Sequence, residues 1–245
     1  MAKLVVFTGA GISADSGIST FRDTDGLWEN HSVDAVCDMM TWKRNFDLVH
    51  RFYNERRVQL GTVVPNAAHE MVAQWQDRYE TTVITQNVDD LFERAGCKDV
   101  MHVHGFLTEM KCLACGEVWD IGYREWKPFE RCDCGSLKGV KPNVVFFNEN
   151  APKYSNMWKV LASLTADDVL LVMGTMGKVI DIGTVASASI CHSILSNLQS
   201  NTGASMPYAP LVEDRQFTTV IHGRAVETVA QIDAHIASLL SPKNL

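Results

Sequence analysis

The 245-residue chain lacks any uncharged apolar run of the roughly 18 residues that a membrane-spanning helix needs. Met1-Ala-Lys leads straight into a short apolar segment and leaves no room for a signal peptide, so the expected location is the cytoplasm, with no membrane partner. Internal repeats and low-complexity tracts are absent, which argues against solenoids and linker-like chains. An excess of basic residues is missing too. Lys and Arg number 22 against 29 Asp and Glu, a net charge of −7. That argues against direct nucleic-acid binding and suits basic partners such as lysine-rich peptides. Cysteines number seven, and in a cytosolic chain they point to thiols or metal ligands before disulfides. Length and a 46% hydrophobic share allow one large domain, or one domain with insertions, around a sizeable core.

The most informative stretch comes first. Leu4 to Phe7 predicts a buried strand, followed at once by Gly9-Ala10-Gly11 and a Ser/Ala-rich segment with helical potential. Strand, glycine turn and helix start can place a diphosphate on backbone N–H groups. The third glycine of the usual dinucleotide fingerprint is displaced to Gly17, so this turn alone fits an ordinary βα connection equally well. Gly17 is expected to end the helix early. Phe21, Arg22 and Trp28 then decorate a loop more heavily than a connector requires.

Residues 30–60 read as helical, closed by Gly61 and Pro65. Tyr53 and Arg56 are three apart and share a helix face. The pair is either a packed tyrosine beside a solvated arginine or a clamp for a carboxylate. A second helix starts at Pro65-Asn66-Ala-Ala-His69. Thr82 to Thr85 predicts a strand that ends in Gln86-Asn87-Val88-Asp89-Asp90, amides and acids placed either for a ligand crevice or for helix capping. In Val100-Met-His102-Val-His104-Gly105 the two histidines share a face unless the strand ends between them, and Gly105 suggests a sharp exit that presents His104.

Cys112-x2-Cys115 and Cys132-x-Cys134, each pair followed by glycine, form the expected ligand set of one structural zinc with no open position. Cys37, Cys97 and Cys191 read as ordinary thiols. Val140 to Glu149 is strand-like, and Pro142 confines it to an edge or to a strand start; an extended edge beside a cleft is where a peptide can be added as a further strand. Val169 to Val172 predicts a strand ending in Gly174-Thr175-Met176-Gly177. Another is predicted from Ser193 to Leu198, and a last helix from Val226 to Leu240. Strands alternating with helices argue an α/β fold: a doubly wound, parallel, Rossmann-like sheet. It would comprise residues 1–28, 81–106 and 143–245, with a helical insertion at 29–80 and a zinc-binding module at 107–142.

Taken together and in order, Gly9-Ala-Gly-Ile-Ser13, Ser16-Gly-Ile-Ser-Thr-Phe-Arg22, Gly26-Leu-Trp28, Pro65-Asn-Ala-Ala-His69, Thr85-Gln-Asn-Val-Asp89, His104-Gly105, the four cysteines, Pro142-Asn-Val-Val-Phe-Phe147, Gly174-Thr175 and Asn197-Leu198 resemble the sirtuins. These are NAD-dependent protein-lysine deacylases, and the resemblance is to the class that includes bacterial deacylases and desuccinylases. It implies NAD as co-substrate, contacted by Gly9, Ala10, Gly11, Ser13, Thr20, Phe21, Arg22, Trp28, Gln86, Asn87, Val88, Asp89, Gly174, Thr175 and Met176, with Asn197, Leu198, Gln199 and Ala225 toward the adenosine. It implies His104 as general base, with Asn87 and Asp89 at the nicotinamide end. Tyr53 and Arg56 would read a carboxylate on the acyl group, and Val144, Val145, Phe146 and Phe147 would pair with an acyl-lysine peptide. The enzyme would act as a monomer. An NADase or ADP-ribosyltransferase, and a non-catalytic NAD-binding regulator, are the alternatives. Three positions depart from the family pattern: Asn148 for glycine, Met176 for serine and Gln199 for glutamate. They predict an altered backbone at the peptide edge and altered cofactor contacts.

Overall fold

The computed structural model describes residues 2–19, 27–28, 31–200 and 212–241. In chain order the elements are β1 (Lys3–Thr8), β2 (Leu27–Trp28), β3 (His31–Ser32), α1 (Val33–Val36), α2 (Phe46–Leu60), α3 (Ala67–Arg78), β4 (Glu80–Thr85), α4 (Leu91–Arg94), β5 (Met101–His102), β6 (Gly105–Cys112), β7 (Val118–Asp120), β8 (Val140–Val144), α5 (Tyr154–Ala162), β9 (Val169–Met173), α6 (Ile182–Ala188), β10 (His192–Asn197), β11 (Thr219–His222) and α7 (Ala225–Leu239). No helix among the described residues is long and apolar enough to cross a membrane.

Six strands form one parallel sheet in the order β11-β10-β9-β1-β4-β5. Its middle strand is apolar on both faces because helices cover both. Leu4 and Val6 pack with Val72 and Trp75 of α3 and Ile232 and Ile236 of α7. Val5 and Phe7 pack with Met157 and Leu161 of α5 and Ile182 of α6. Each such side chain stabilises by about 1.5–3 kcal/mol, so a carboxylate at Val6 would break the layer. The doubly wound architecture is therefore as the sequence pattern predicts.

Strand order reverses at β1, which has β4 on one side and β9 on the other. Such a reversal opens a crevice beyond the strands' carboxyl ends. Register decides what meets there. Thr8 pairs with Thr85 and with Met173, and Thr85 with His102. The residues that follow these strand ends, Gly9, Gln86 and Gly174, therefore emerge at one level.

A second sheet is antiparallel, in the order β7-β6-β8. Pro142 lies in its edge strand β8, as expected. A separate core joins α1 and α2 to this sheet through Val36, Trp42, Phe46, Val49, Leu107 and Phe146. Two expectations are corrected here. Residues 30–60 are not one helix, because the backbone at Cys37–Met39 pairs with Phe147 instead: Phe147 N–H donates to Cys37 O and Met39 N–H to Phe147 O, both at 2.9 Å. And α3, grouped by sequence with the helical insertion, buries its apolar face on the large sheet.

Candidate active site

The crevice is a cavity of ≈ 580 Å³. Gly9, Ala10, Gly11 and Ser13 line it from β1, Gln86, Asn87, Val88 and Asp89 from β4, and His104 from the turn after β5. Gly174, Thr175 and Met176 line it from β9, Val144, Val145, Phe146 and Phe147 from the end of β8, and Arg56 from α2. Thr20, Phe21 and Arg22 lie outside the described residues, and only the backbone of Trp28 is described, within β2.

The glycine turn differs from the expected helix start. Two short 3₁₀ turns, Ala10–Ile12 and Ala14–Ser16, follow β1, and Gly17 (φ +92°) ends them. The Gly9 and Gly11 N–H groups donate to Met173 O and Gly174 O at 3.0 and 2.9 Å. A Cβ on Gly11 would lie 2.6 Å from Gly174 Cα. These glycines let two strand-end turns touch, and their N–H groups are spent inside the protein.

Behind the turn lies a closed polar network. Ser13 Oγ donates to Asp89 Oδ2 at 3.0 Å and accepts from Asn87 Nδ2 at 3.1 Å. His69 Nδ1 faces the Asn66 backbone N–H, a donor, so the ring proton sits on Nε2 and points at Ser13 Oγ, 3.3 Å away. Asn66 caps α3 and also holds Ile12 O and Ser16 Oγ. The Pro65–His69 motif therefore docks α3 onto the glycine turn. Asp89 Oδ1 accepts from Leu91 N–H at the start of α4, the capping role expected of this run, while its Oδ2 takes Ser13. Burial pushes the Asp89 carboxyl up to about 6, against the hydrogen bonds from Leu91 and Ser13. Burial also lowers His69 to about 4.

β5 ends at His102, so the two histidines part. His102 is buried between Asn87 O and Glu93 Oε1, each 2.8 Å away. His104 faces the cavity. Its Nδ1 lies 3.1 Å from Gln86 O, a pure acceptor, so Nδ1 carries the proton and Nε2 the lone pair. Nε2 lies 2.8 Å from the Tyr154 hydroxyl. Burial lowers the imidazole to about 4 against the bond to Gln86, so it is neutral at physiological pH. Gly105 (φ +93°) makes the sharp exit that the sequence suggests, and a Cβ there would lie 2.0 Å from Asn143 O.

Of the two residues expected to form a carboxylate clamp, Arg56 lines the cavity and Tyr53 does not. Arg56 is stacked on Phe52 at 4.3 Å with Nη1 3.1 Å from Glu55 Oε2. Tyr53 is fully buried, stacked on Phe146 at 5.7 Å, with its hydroxyl directed to Cys37. Arg57, next along, is buried and ties α2 to β6 by donating to Leu107 O at 2.8 Å. The expected peptide edge is a braced bend. The N–H groups of Val145, Phe146 and Phe147 already donate to His104 O, Glu149 Oε2 and Cys37 O. Buried Lys141 braces this bend through Val144 O and Glu149 Oε2, at 2.7 and 3.0 Å. Asn197, Leu198, Gln199 and Ala225 do not line the cavity as described. Asn197 Nδ2 holds Thr175 O at 2.9 Å, and its Oδ1 is buried with no partner among the described residues. Leu198 and Gln199 are exposed, and Ala225 starts α7.

The sulfurs of Cys112, Cys115, Cys132 and Cys134 all lie within 4.8 Å of one another. Cys112–Cys134 and Cys115–Cys132 are separated by 3.7 and 3.5 Å. Tetrahedral Zn–S bonds of about 2.3 Å require S···S separations of about 3.8 Å, so the four thiolates fit a zinc ion.

A model of the Sir2 family matches residues 9–181. The chain belongs to the Sir2 family. Among curated relatives, an NAD-dependent protein deacylase of Helicobacter hepaticus is 41% identical over 260 residues, 96% of this chain and 98% of that protein. Another NAD-dependent protein deacylase, of Campylobacter jejuni, is 42% identical over 200 residues, 81% of this chain and 83% of that one. Among solved structures, a Sir2 homologue in complex with NAD superposes with a TM-score of 0.77 at 30% identity, over 98% of this chain and 91% of that one. A Sir2 homologue bound to ADP-ribose gives 0.79 at 29% identity, over 96% and 92%.

At Asn148, where the sequence departs from the Sir2 pattern, the backbone is left-handed. Its φ is +62°, the conformation that glycine would supply, and its Nδ2 is tied to Asp38 Oδ2 at 2.7 Å. Met176 still lines the cavity. Sequence reasoning missed Cys37, Leu107, Lys178, Val179 and Tyr154, which also line it. Of these, Tyr154 meets His104 by its side chain, and no local motif marks it.

Proposed function

We propose that this Sir2-family chain is an NAD-dependent protein-lysine deacylase that accepts succinyl and malonyl groups besides acetyl. NAD, as co-substrate, supplies the ribose carbon that receives the acyl oxygen as nicotinamide leaves, and the hydroxyl that next attacks. The products are free lysine, nicotinamide and O-acyl-ADP-ribose. The observation that carries this reading is the neutral His104, its lone pair on Nε2, in a cavity shared with Gln86, Asn87, Asp89 and two strand-end turns. His104 is the general base for the ribose hydroxyl. Asn87 and Asp89, held by Ser13, address the nicotinamide end. The meeting of the Gly9–Gly11 and Gly174–Thr175 turns fits a dinucleotide. Arg56 lines the acyl side of the cavity and pairs with a distal carboxylate there, displacing exposed Glu55. Tyr53 joins it by turning from Cys37. The acyl-lysine peptide lies beside the Val144–Phe147 bend, which lines the cavity. The four cysteines hold a structural zinc. With seven cysteines and net charge −7, the enzyme works as a monomer in the reducing cytoplasm on lysine-rich partners.

The test is NAD-dependent turnover of acetyl- and succinyl-lysine forms of one peptide. His104→Ala abolishes both. Arg56→Met cuts desuccinylation at least about tenfold, the loss of roughly one charge-assisted hydrogen bond, and spares deacetylation. Equal loss of both activities in Arg56→Met sinks the carboxylate reading. NAD consumption that ignores the acyl peptide moves the function to NAD hydrolysis.

A further inference from the structure

Tyr154 is the first residue of α5. That helix is anchored by Met157 and Leu161, 0% and 3% exposed, in the core beneath the sheet. The phenol is therefore carried by a fixed element. Its hydroxyl lies 2.8 Å from His104 Nε2, and the rings sit 5.9 Å apart, tilted by 46°. On the other side of the ring Nδ1 donates to Gln86 O. The Nε2 lone pair accepts one hydrogen, and the Tyr154 O–H is the donor that meets it.

We propose that Tyr154 is a positioning residue for the reaction: before NAD binds, its hydroxyl donates to Nε2, holds the ring that Gln86 O fixes as the Nδ1–H tautomer and keeps it unprotonated, and it yields the Nε2 lone pair to the ribose hydroxyl when the base acts. This rests on His104 being the base. The physical reason is that a hydrogen bond donated to the neutral ring disappears when that ring is protonated, so the phenol disfavours the imidazolium. Arg56, Glu149 and Lys178 line the same cavity, and among the described residues none of them shifts the ring. β4 offers the Gln86 carbonyl, and the segment after β8 offers only Val145 N–H, which binds His104 O. Asp89 is turned to Ser13 and Leu91. The titratable partner is Tyr154 itself, and burial keeps its phenol protonated. The consequence is a deacylase whose base stays available in mildly acidic conditions.

The first measurement needs no NAD. Long-range ¹H–¹⁵N spectra at neutral pH, assigned by the signal that His104→Ala removes, read the two ring nitrogens separately. Wild type shows the Nδ1–H tautomer with a hydrogen-bonded Nε2. Tyr154→Phe, which keeps the packed ring, moves the Nε2 resonance alone downfield. In turnover, Tyr154→Phe moves the acid limb of kcat/KM for deacylation up by about half to one pH unit, the worth of one hydrogen bond. Peptide-dependent exchange of labelled nicotinamide into NAD precedes the base step and stays unchanged. An unmoved Nε2 resonance, or an Nε2–H tautomer in wild type, overturns the proposal. So does equal loss of exchange and deacylation in Tyr154→Phe, which marks a merely structural residue. Full deacylation by His104→Ala would instead overturn the assignment of the base.

Discussion

Behind the glycine turn sits Ser13, a small polar residue whose hydrogen-bonding capacity is used up. Ser13 Oγ accepts from Asn87 and from His69 and donates to Asp89. Replacing it with alanine would strand two buried donors and remove a donor from a buried carboxylate. The expected cost of Ser13→Ala is about 1–3 kcal/mol of stability, read as a lower denaturation midpoint. The same change pushes Asp89 above its value of about 6, because the Ser13 bond is one of the forces that lower it. Turnover of Ser13→Ala therefore needs a more alkaline pH than wild type. An unchanged pH profile would place Asp89 outside the reaction. This network was half legible in the sequence. Asn87 and Asp89 stand out at a strand end. The link to His69 was not legible, since it spans 56 residues and depends on α3 docking beside the turn.

At the scale of elements, loops with unusual backbone angles aim the functional groups. Asn148 carries a left-handed φ of +62° in the bend that follows β8. Asn148→Gly is expected to leave stability within about 0.5 kcal/mol. Asn148→Val puts a β-branched side chain in the left-handed region and costs about 1–2 kcal/mol. Thermal unfolding of the two variants separates these outcomes, and equal melting points would refute the backbone argument. The break between α1 and α2 belongs to this scale as well. Helical periodicity runs through residues 30–60, but Cys37–Met39 pairs with Phe147, more than 100 residues away. Local pattern cannot report a competitor so distant in the chain.

For the whole molecule, acid is the expected weakness. His50 and His69 are buried, and burial lowers each to about 4 from an unfolded value near 6.5. Between those limits the unfolded chain binds protons that the folded chain does not. Stability therefore falls as pH drops from 6.5 through 4, by up to about 3 kcal/mol per ring. Asp89, raised to about 6, acts in the opposite sense over about pH 4–6, and one group does not outweigh the histidines. Chemical denaturation at pH 7, 6 and 5 should show a steady loss. His50 Nε2 donates to Val140 O at 3.0 Å, so His50→Gln can keep a donor while removing one titration. Its stability should depend less steeply on pH, by about one proton. An equal slope in the two proteins would mean that His50 does not titrate on unfolding.

Much of the protein is determined by the sequence alone. Apolar runs such as Leu4–Phe7 and Val169–Val172, each with a glycine two residues beyond, mark buried parallel strands because such runs need cover on both faces. Two close cysteine pairs mark a zinc site because thiolate spacing is a local property. The glycine, amide and histidine clusters at strand ends name the crevice. Tertiary structure decided how these pieces meet. Register at β1 brought three strand ends to one level. Burial, which no window of sequence contains, made His104 neutral and raised Asp89. Packing turned Tyr53 toward Cys37 and left Arg56 in the cavity, although a helix presents both on one face. It also set Tyr154 against His104, because orientation and desolvation depend on neighbours that are remote in the chain.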